Sequence, residues 1–251
     1  MAQMPVPDLA ALDAVIFDMD GVVTQTAVVH AAAWKRLFDA YLAQRTAESG
    51  EAFLPFDDSD YLRYVDGKSR SDGVRSFLQS RGIRLPEGGP DDPPGYDTVS
   101  AMGNAKDSYF LEHVRQQGVR PYDSTVALVR DLRAAGKATG LVSASCNAAE
   151  VLTVAGVADL FDARVDGVVA ADMALPGKPD PAVFLEAARR LGAKPERAAV
   201  VEDALSGVAA GAAGNFALVV GVARAGQHEA LRRAGADVVV TDLAELSLIS
   251  K

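Results

Sequence analysis

The sequence contains a single cysteine, Cys146, so no disulfide can form within the chain. A reducing, cytoplasmic setting is expected. No apolar run approaches the roughly 20 residues that a bilayer-crossing helix needs. Residues 1–12 lack the basic segment and apolar core of a secretory signal, so neither membrane insertion nor export is expected. Basic residues are outnumbered: Lys and Arg total 25 against 34 Asp and Glu, a net charge of −9. Such a chain is a poor candidate for non-specific binding to nucleic acid or an anionic membrane. An anionic substrate would need local positive charge from a metal, a lysine or helix N-termini. No segment repeats at a fixed period. What remains is 251 residues, enough for one large globular domain or a core with a smaller companion.

The apolar run Ala14-Val15-Ile16-Phe17 leads into Asp18-Met19-Asp20-Gly21. A short β-favouring run bounded by glycine predicts a buried strand. On extended backbone, side chains two apart share a side, so Asp18 and Asp20 are expected to converge at the strand's end. Two carboxylates in one small volume call for a counter-ion, and a hard divalent cation such as Mg²⁺ suits them. Taken alone, such a pair serves equally well as the cap of a turn.

Residues 1–13 are expected to be a short mobile lead-in. A helix is predicted over His30–Tyr41, with Trp34, Leu37, Phe38 and Tyr41 on one core-packing stripe. From Gln44 to Gly118 the β-branched runs disappear, and helices are predicted over Ser71–Ser80 and Asn104–Val114. The Pro/Gly-rich stretch Pro86–Gly95 between them is a loop. From Pro121 onward helix and strand alternate. Helices are predicted over Ser124–Ala135, Asn147–Ala155, Asp180–Leu191 and Ala204–Ala213. Strands are predicted over Ala138–Val142, Ala198–Val201, Ala217–Val222 and Val238–Val240. For the Asp180 helix the punctuation is Asp180 as N-cap, Pro181 at the first position and Gly192 past the end. The pattern predicts an α/β fold, a Rossmann-like parallel sheet over residues 1–25 and 120–251, with a helical cap inserted over 26–119. In such sheets ligands bind beyond the strands' carboxyl ends.

Three further stretches stand at predicted strand ends or helix starts. Ser143-Ala144-Ser145-Cys146-Asn147 brings hydroxyls and free amides to a helix start, where Ser145 or Asn147 can cap the helix or the group can bind an anion. Lys178 is fixed between Pro176 and Pro179-Asp180-Pro181, although a solvated loop lysine would look the same. Glu202 and Asp203 follow Val200-Val201 and, with Asp18, can complete an all-oxygen metal site, or Asp203 can be an N-cap.

An acid pair, a hydroxyl turn, a fixed lysine and a second acid pair, in this order, resemble the haloacid dehalogenase-like superfamily. The resemblance is to its phosphatase and β-phosphoglucomutase branch. It implies that Asp18 is the nucleophile and Asp20 the general acid/base. It implies Mg²⁺ bound by Asp18, Asp20 through its carbonyl, Asp203 and Glu202, and a phosphoryl group held by Ser143 and Lys178. Thr26, Ala27 and His30, then Asp66-Gly67-Lys68-Ser69-Arg70, resemble the mutase cap. There Gly67 and Lys68 belong to a sugar-phosphate-binding turn whose Arg70 would grip a second phosphate, bound also by Ser145 and Asn147, while Lys106 lies near a sugar and His30 is a further substrate-binding residue. Arg70 would make the bidentate grip. The resemblance thus implies either a mutase passing β-D-glucose 1-phosphate to glucose 6-phosphate through a 1,6-bisphosphate, or a phosphatase of small sugar phosphates. A monomer is expected. Gln25 and Cys146 depart from the mutase pattern, where aspartate and lysine are usual; a thiol supplies no charge to a second phosphate.

Overall fold

The computed structural model describes residues 9–224 and 226–246. Six strands form one sheet: β1 Ala14–Asp18, β2 Ala138–Val142, β3 Ala163–Val165, β4 Ala198–Glu202, β5 Leu218–Val222 and β6 Val238–Val240. Their order is β3-β2-β1-β4-β5-β6, and every pairing is parallel. Each residue of β1, β4 and β5 is buried, as expected for central strands of a covered parallel sheet. The register sets Phe17 opposite Val201 and Asp18 opposite Val142, so β1, β2 and β4 end side by side.

Contacts divide the chain into two units, residues 1–25 with 119–251, and residues 26–118. The second unit contains α1 Ala27–Ser49, the single turn α2 Asp58–Asp60 running into a π-helical turn at Tyr61–Val65, α3 Arg70–Ser80 and α4 Val99–Gln117. Its core gathers Trp34, Phe38, Phe77 and Met102. Trp34 stacks on Phe38 at 5.2 Å and Phe38 tilts against Phe77 at 4.0 Å, so the α1 stripe packs as predicted. Pro86–Gly95 is irregular, yet anchored, because the Asn104 amide donates to Pro90 O at 3.0 Å and Asp92 O at 2.8 Å.

In the first unit α5 Asp123–Ala134, α6 Ala148–Val154, α7 Gly167–Asp172, α8 Ala182–Arg190, α9 Leu205–Ala213 and α10 His228–Ala234 accompany the strands. The sheet packs against α5, α8, α9 and α10. Among the described residues no helix is long and apolar enough to cross a membrane.

The structure corrects several expectations. Residues 1–8 of the lead-in lie outside the described residues, but Leu9–Ala11 is a 3-10 turn and Leu9 is fully buried, so the lead-in joins the core from there. Helix α1 runs eight residues beyond Tyr41 because Leu42 still packs while polar residues solvate the outer face. The N-cap of α8 is Pro181; Asp180 stands one residue earlier, and its Oδ1 accepts from Ala182 N at 2.9 Å. The β3 and α7 segment was not anticipated, since Ala163-Arg164-Val165 is too short and too polar to register as a strand.

Candidate active site

Asp18 is the last residue of β1 and Glu202 the last of β4, with Asp203 following it. Asp18, Glu202 and Asp203 are all buried, and each offers a carboxylate oxygen within 4.8 Å of the others'. Lys178 reaches into this cluster. Its Nζ donates to Asp18 Oδ1 and to Glu202 Oε1, both at 2.5 Å, and its side chain is only 2 % exposed. The solvated-lysine alternative is thereby excluded.

Burial pushes the Asp18 carboxyl well above the usual carboxylate range, and the charges of Glu202 and Asp20 add to this while Lys178 opposes it. Burial works against the Lys178 ammonium, yet Asp18 and Glu202 outweigh it and hold the proton on more tightly than usual. With all three acids ionised, three carboxylates against one ammonium leave two negative charges. A hard divalent cation matches both that charge and the all-oxygen donor set, so Asp18, Glu202 and Asp203 fit Mg²⁺.

The backbone is shaped around these acids. Gly21 has φ +85°, and a Cβ there would overlap the Asp203 carboxylate. A Cβ on Gly207, in α9, would overlap the Glu202 carboxylate.

Asp20 stands in the turn beyond the strand and not on the strand itself. The strand stops at Asp18, and residues 19–24 form a tight turn in which Val23 N and Thr24 N both donate to Met19 O at 2.9 Å. The Asp20 side chain is not one of the three clustered carboxylates; its Oδ2 accepts from Ser143 Oγ at 3.2 Å. It is partly exposed, unlike Asp18. The two aspartates therefore occupy different environments, one among the clustered acids and one on a hydroxyl.

Ser143 directly follows β2. Its Oγ accepts from Ser145 N, and Ser145 Oγ accepts from Asn147 N, both at 3.1 Å, so the loop turns on its own hydroxyls. Asn147 is the N-cap residue of α6, but its side chain makes no capping bond. Ala144 and Ser145 are half-buried and Cys146 is exposed. Gly167 N donates to Ser145 O at 3.0 Å, fixing the loop to the start of α7.

Within the other unit, Arg70 Nη1 lies 3.3 Å from Asn104 Oδ1 and 3.2 Å from Asp107 Oδ2. Gly67 takes a positive φ, and Lys68 Nζ donates to Ser76 Oγ at 2.9 Å. Partial burial lowers the Lys68 pKa, with Asp72 opposing. Lys106 is 4 % exposed and hydrogen-bonds His30 Nδ1. The His30 ring stacks on Phe110 at 4.0 Å. These residues thus form two groups, Arg70 with Asn104 and Asp107, and His30 with Lys106.

Residues 12–215 match the family model described as haloacid dehalogenase-like hydrolase. The chain belongs to that family. A β-phosphoglucomutase from Mycobacterium tuberculosis is 52 % identical over 237 residues, 93 % of this chain and 90 % of that protein. One from Bacillus subtilis is 30 % identical over 238 residues, 94 % of this chain and 92 % of the relative. The crystal structure of a β-phosphoglucomutase from Clostridium difficile matches with a TM-score of 0.72 at 27 % identity, covering 94 % of this chain and 93 % of that one. In this haloacid dehalogenase-like chain the sequence motifs mark the chemistry but not its supports. Gly167, and Arg224 described below, carry no local signal, since each acts on a segment distant in sequence; Gly207 lies only five residues after Glu202 and meets it through the turn from β4 into α9.

Proposed function

We propose that the chain is a β-phosphoglucomutase, converting β-D-glucose 1-phosphate to glucose 6-phosphate. The observation that carries this reading is the 52 % identity, over nearly the whole of both chains, to the mycobacterial β-phosphoglucomutase, joined to the cluster around Asp18.

The reaction needs a nucleophile that can carry a phosphoryl group and a separate acid/base. Asp18 takes the first role: its carboxylate oxygen attacks phosphorus, the bond from phosphorus to the sugar oxygen breaks, and an aspartyl phosphate forms. Asp20 takes the second, giving its proton to the departing sugar oxygen and later removing one from the accepting hydroxyl. Lys178 and Ser143 hold the phosphoryl oxygens, with the amides of Ala144 and Ser145 beside them. Mg²⁺ held by Asp18, Glu202 and Asp203 would neutralise charge on the equatorial oxygens. With a 1,6-bisphosphate bound, one phosphate is transferred while the other must be held. Arg70 and Lys68 of the cap, the Gly67 turn, and Ser145 and Asn147 are assigned to that second phosphate. His30 and Lys106 are assigned to the sugar. The enzyme is read as a cytoplasmic monomer.

Cys146 favours a second reading, a phosphatase of small sugar phosphates, because an exposed thiol adds no positive charge to the loop. A ³¹P NMR time course separates the two, using β-glucose 1-phosphate, Mg²⁺ and a trace of glucose 1,6-bisphosphate. The mutase moves signal to glucose 6-phosphate with little inorganic phosphate. Accumulation of inorganic phosphate overturns the mutase reading in favour of the phosphatase.

A further inference from the structure

Arg224 lies two residues beyond β5, and neither the acid clusters nor the anion loop includes it. Its side chain nevertheless crosses to the first motif. Nε donates to Gly21 O at 2.8 Å, 203 residues away in sequence. The guanidinium carbon lies 3.6 Å from the centre of the Tyr122 ring, a close cation–π contact. Nη1 donates to Thr241 O at 3.3 Å and lies 3.6 Å from Asp242 Oδ2. Nη2 is buried without a hydrogen-bond partner among the described residues. Leaving a charged donor unmet is costly, so the pose is dictated by the other four contacts rather than by full satisfaction of the guanidinium.

What those contacts hold is the turn that carries Asp20. Gly21 is the next residue, and its peptide is fixed on three sides. Its amide donates to Thr24 O at 2.8 Å, its Cα lies against the Asp203 carboxylate, and its carbonyl takes the Arg224 bond. Tyr122, beneath the guanidinium, donates its own amide to Val23 O at 2.9 Å, in the same turn. Arg224 therefore grips residues 21–23 twice, once directly and once through Tyr122. Asp20 itself is partly exposed, and its Oδ2 accepts from Ser143 Oγ at 3.2 Å. The backbone that follows Asp20 also bears on the aim of its carboxyl, and that backbone is what Arg224 and Tyr122 hold.

We propose that Arg224 is a positioning residue for proton transfer, holding the Gly21 peptide so that the Asp20 carboxyl meets the oxygen leaving phosphorus. This rests on the reading of Asp20 as the general acid/base, and it holds whether sugar or water is the final acceptor. It has a signature that simple stabilisation of the β5 loop lacks. A sugar alkoxide is a poor leaving group and needs the proton, whereas p-nitrophenolate leaves without one.

The test compares the wild-type protein with Arg224→Met and Arg224→Lys on both substrates, with Mg²⁺ present. Methionine keeps an apolar stem over Tyr122 and loses the bond to Gly21; lysine keeps a donor. Arg224→Met is expected to lower kcat for β-glucose 1-phosphate by about 10- to 100-fold, the scale of a misaligned catalytic group. KM should change by less than about twofold and p-nitrophenyl phosphate hydrolysis by less than about threefold, on the same scale of argument. Arg224→Lys should recover part of the sugar-phosphate rate. Parallel losses on both substrates, or no loss on either, overturn the proposal. If Arg224→Met does not fold, the ratio of the two rates in Arg224→Lys decides it: a fall confined to the sugar phosphate supports positioning, and an unchanged ratio refutes it. A wild-type protein that transfers phosphoryl groups from neither substrate overturns the functional reading itself, which the variants alone would not.

Discussion

Glu202 gives one carboxylate oxygen to Lys178 Nζ at 2.5 Å, and its other oxygen accepts from the Ala204 amide at 2.8 Å. Both partners are shut away from water, Glu202 completely. Removing one member of such a buried pair costs far more than the pair's net worth, because a charge is left without a partner. Lys178→Ala is therefore expected to destabilise the metal-free protein by about 3–5 kcal/mol, read from urea unfolding. Adding Mg²⁺ should recover part of the loss, since the cation neutralises the same carboxylates. A loss below about 1 kcal/mol, the value of an exposed pair, would show that Lys178 is solvated in solution.

The clustered acids carry a second expectation. Asp18, Glu202 and Asp203 repel one another through a dry interior, and a divalent cation relieves that repulsion only in the folded chain. At about 100 times its Kd, Mg²⁺ should stabilise the protein by about 2.7 kcal/mol. Asp203→Asn should shrink that gain, and EDTA should abolish both the gain and turnover. Equal unfolding curves with and without Mg²⁺ would deny the cluster a metal role.

The chemistry was legible where a reactive residue directly follows an apolar run. Asp18 after Ala14–Phe17, Ser143 after Leu141-Val142 and Glu202 after Val200-Val201 all stand at strand ends, because a fully buried parallel strand announces itself by composition. Alternation did not reveal the turn that carries Asp20, because the strand ends at Asp18 and the chain turns immediately at Met19. Arg224 above Gly21 could not be read at all, since its partner is fixed by sheet order rather than by neighbouring sequence, whereas Gly207, five residues after Glu202, meets it across the turn from β4 into α9. Asn104 was taken only as part of a helix, yet it joins Arg70 to the Pro86–Gly95 loop.

On α8, Glu186 accepts from Arg189 at 2.7 and 2.9 Å and from Arg190 at 2.8 Å. These bonds, Arg189's first, draw its carboxyl from the usual 4.5 down to about 2. Below the usual value the unfolded chain binds a proton that the folded chain refuses, so acid favours unfolding. The contribution is whole above about pH 5 and is lost as pH falls toward 2. The urea midpoint of Glu186→Gln should thus lie below wild type near neutrality, and the gap should close toward pH 2. A gap that does not narrow would mean that packing, rather than charge, makes the difference.

Arg70 offers the sharpest division between the two functional readings. Its guanidinium is drawn between Asn104 and Asp107, two acceptors on one helix face, which holds the fork in one orientation. Glycine at position 103 leaves room for the stem: a Cβ there would sit 3.2 Å from Arg70 Cγ and Cδ. If Arg70 grips the phosphate that is not being transferred, its loss removes charge-assisted hydrogen bonds worth about 1.5–3 kcal/mol. That corresponds to about a 10- to 100-fold loss in mutase kcat/KM for Arg70→Ala. Hydrolysis of a simple monophosphate ester, which has no second phosphate, should change by less than about threefold on the same reasoning. Asn104→Ala should weaken the mutase step in the same direction and by less, since Asp107 still holds the guanidinium. Equal losses of Arg70→Ala on both substrates would assign Arg70 to the integrity of α3 and α4 instead, and urea unfolding of the variant would then show a matching fall in stability.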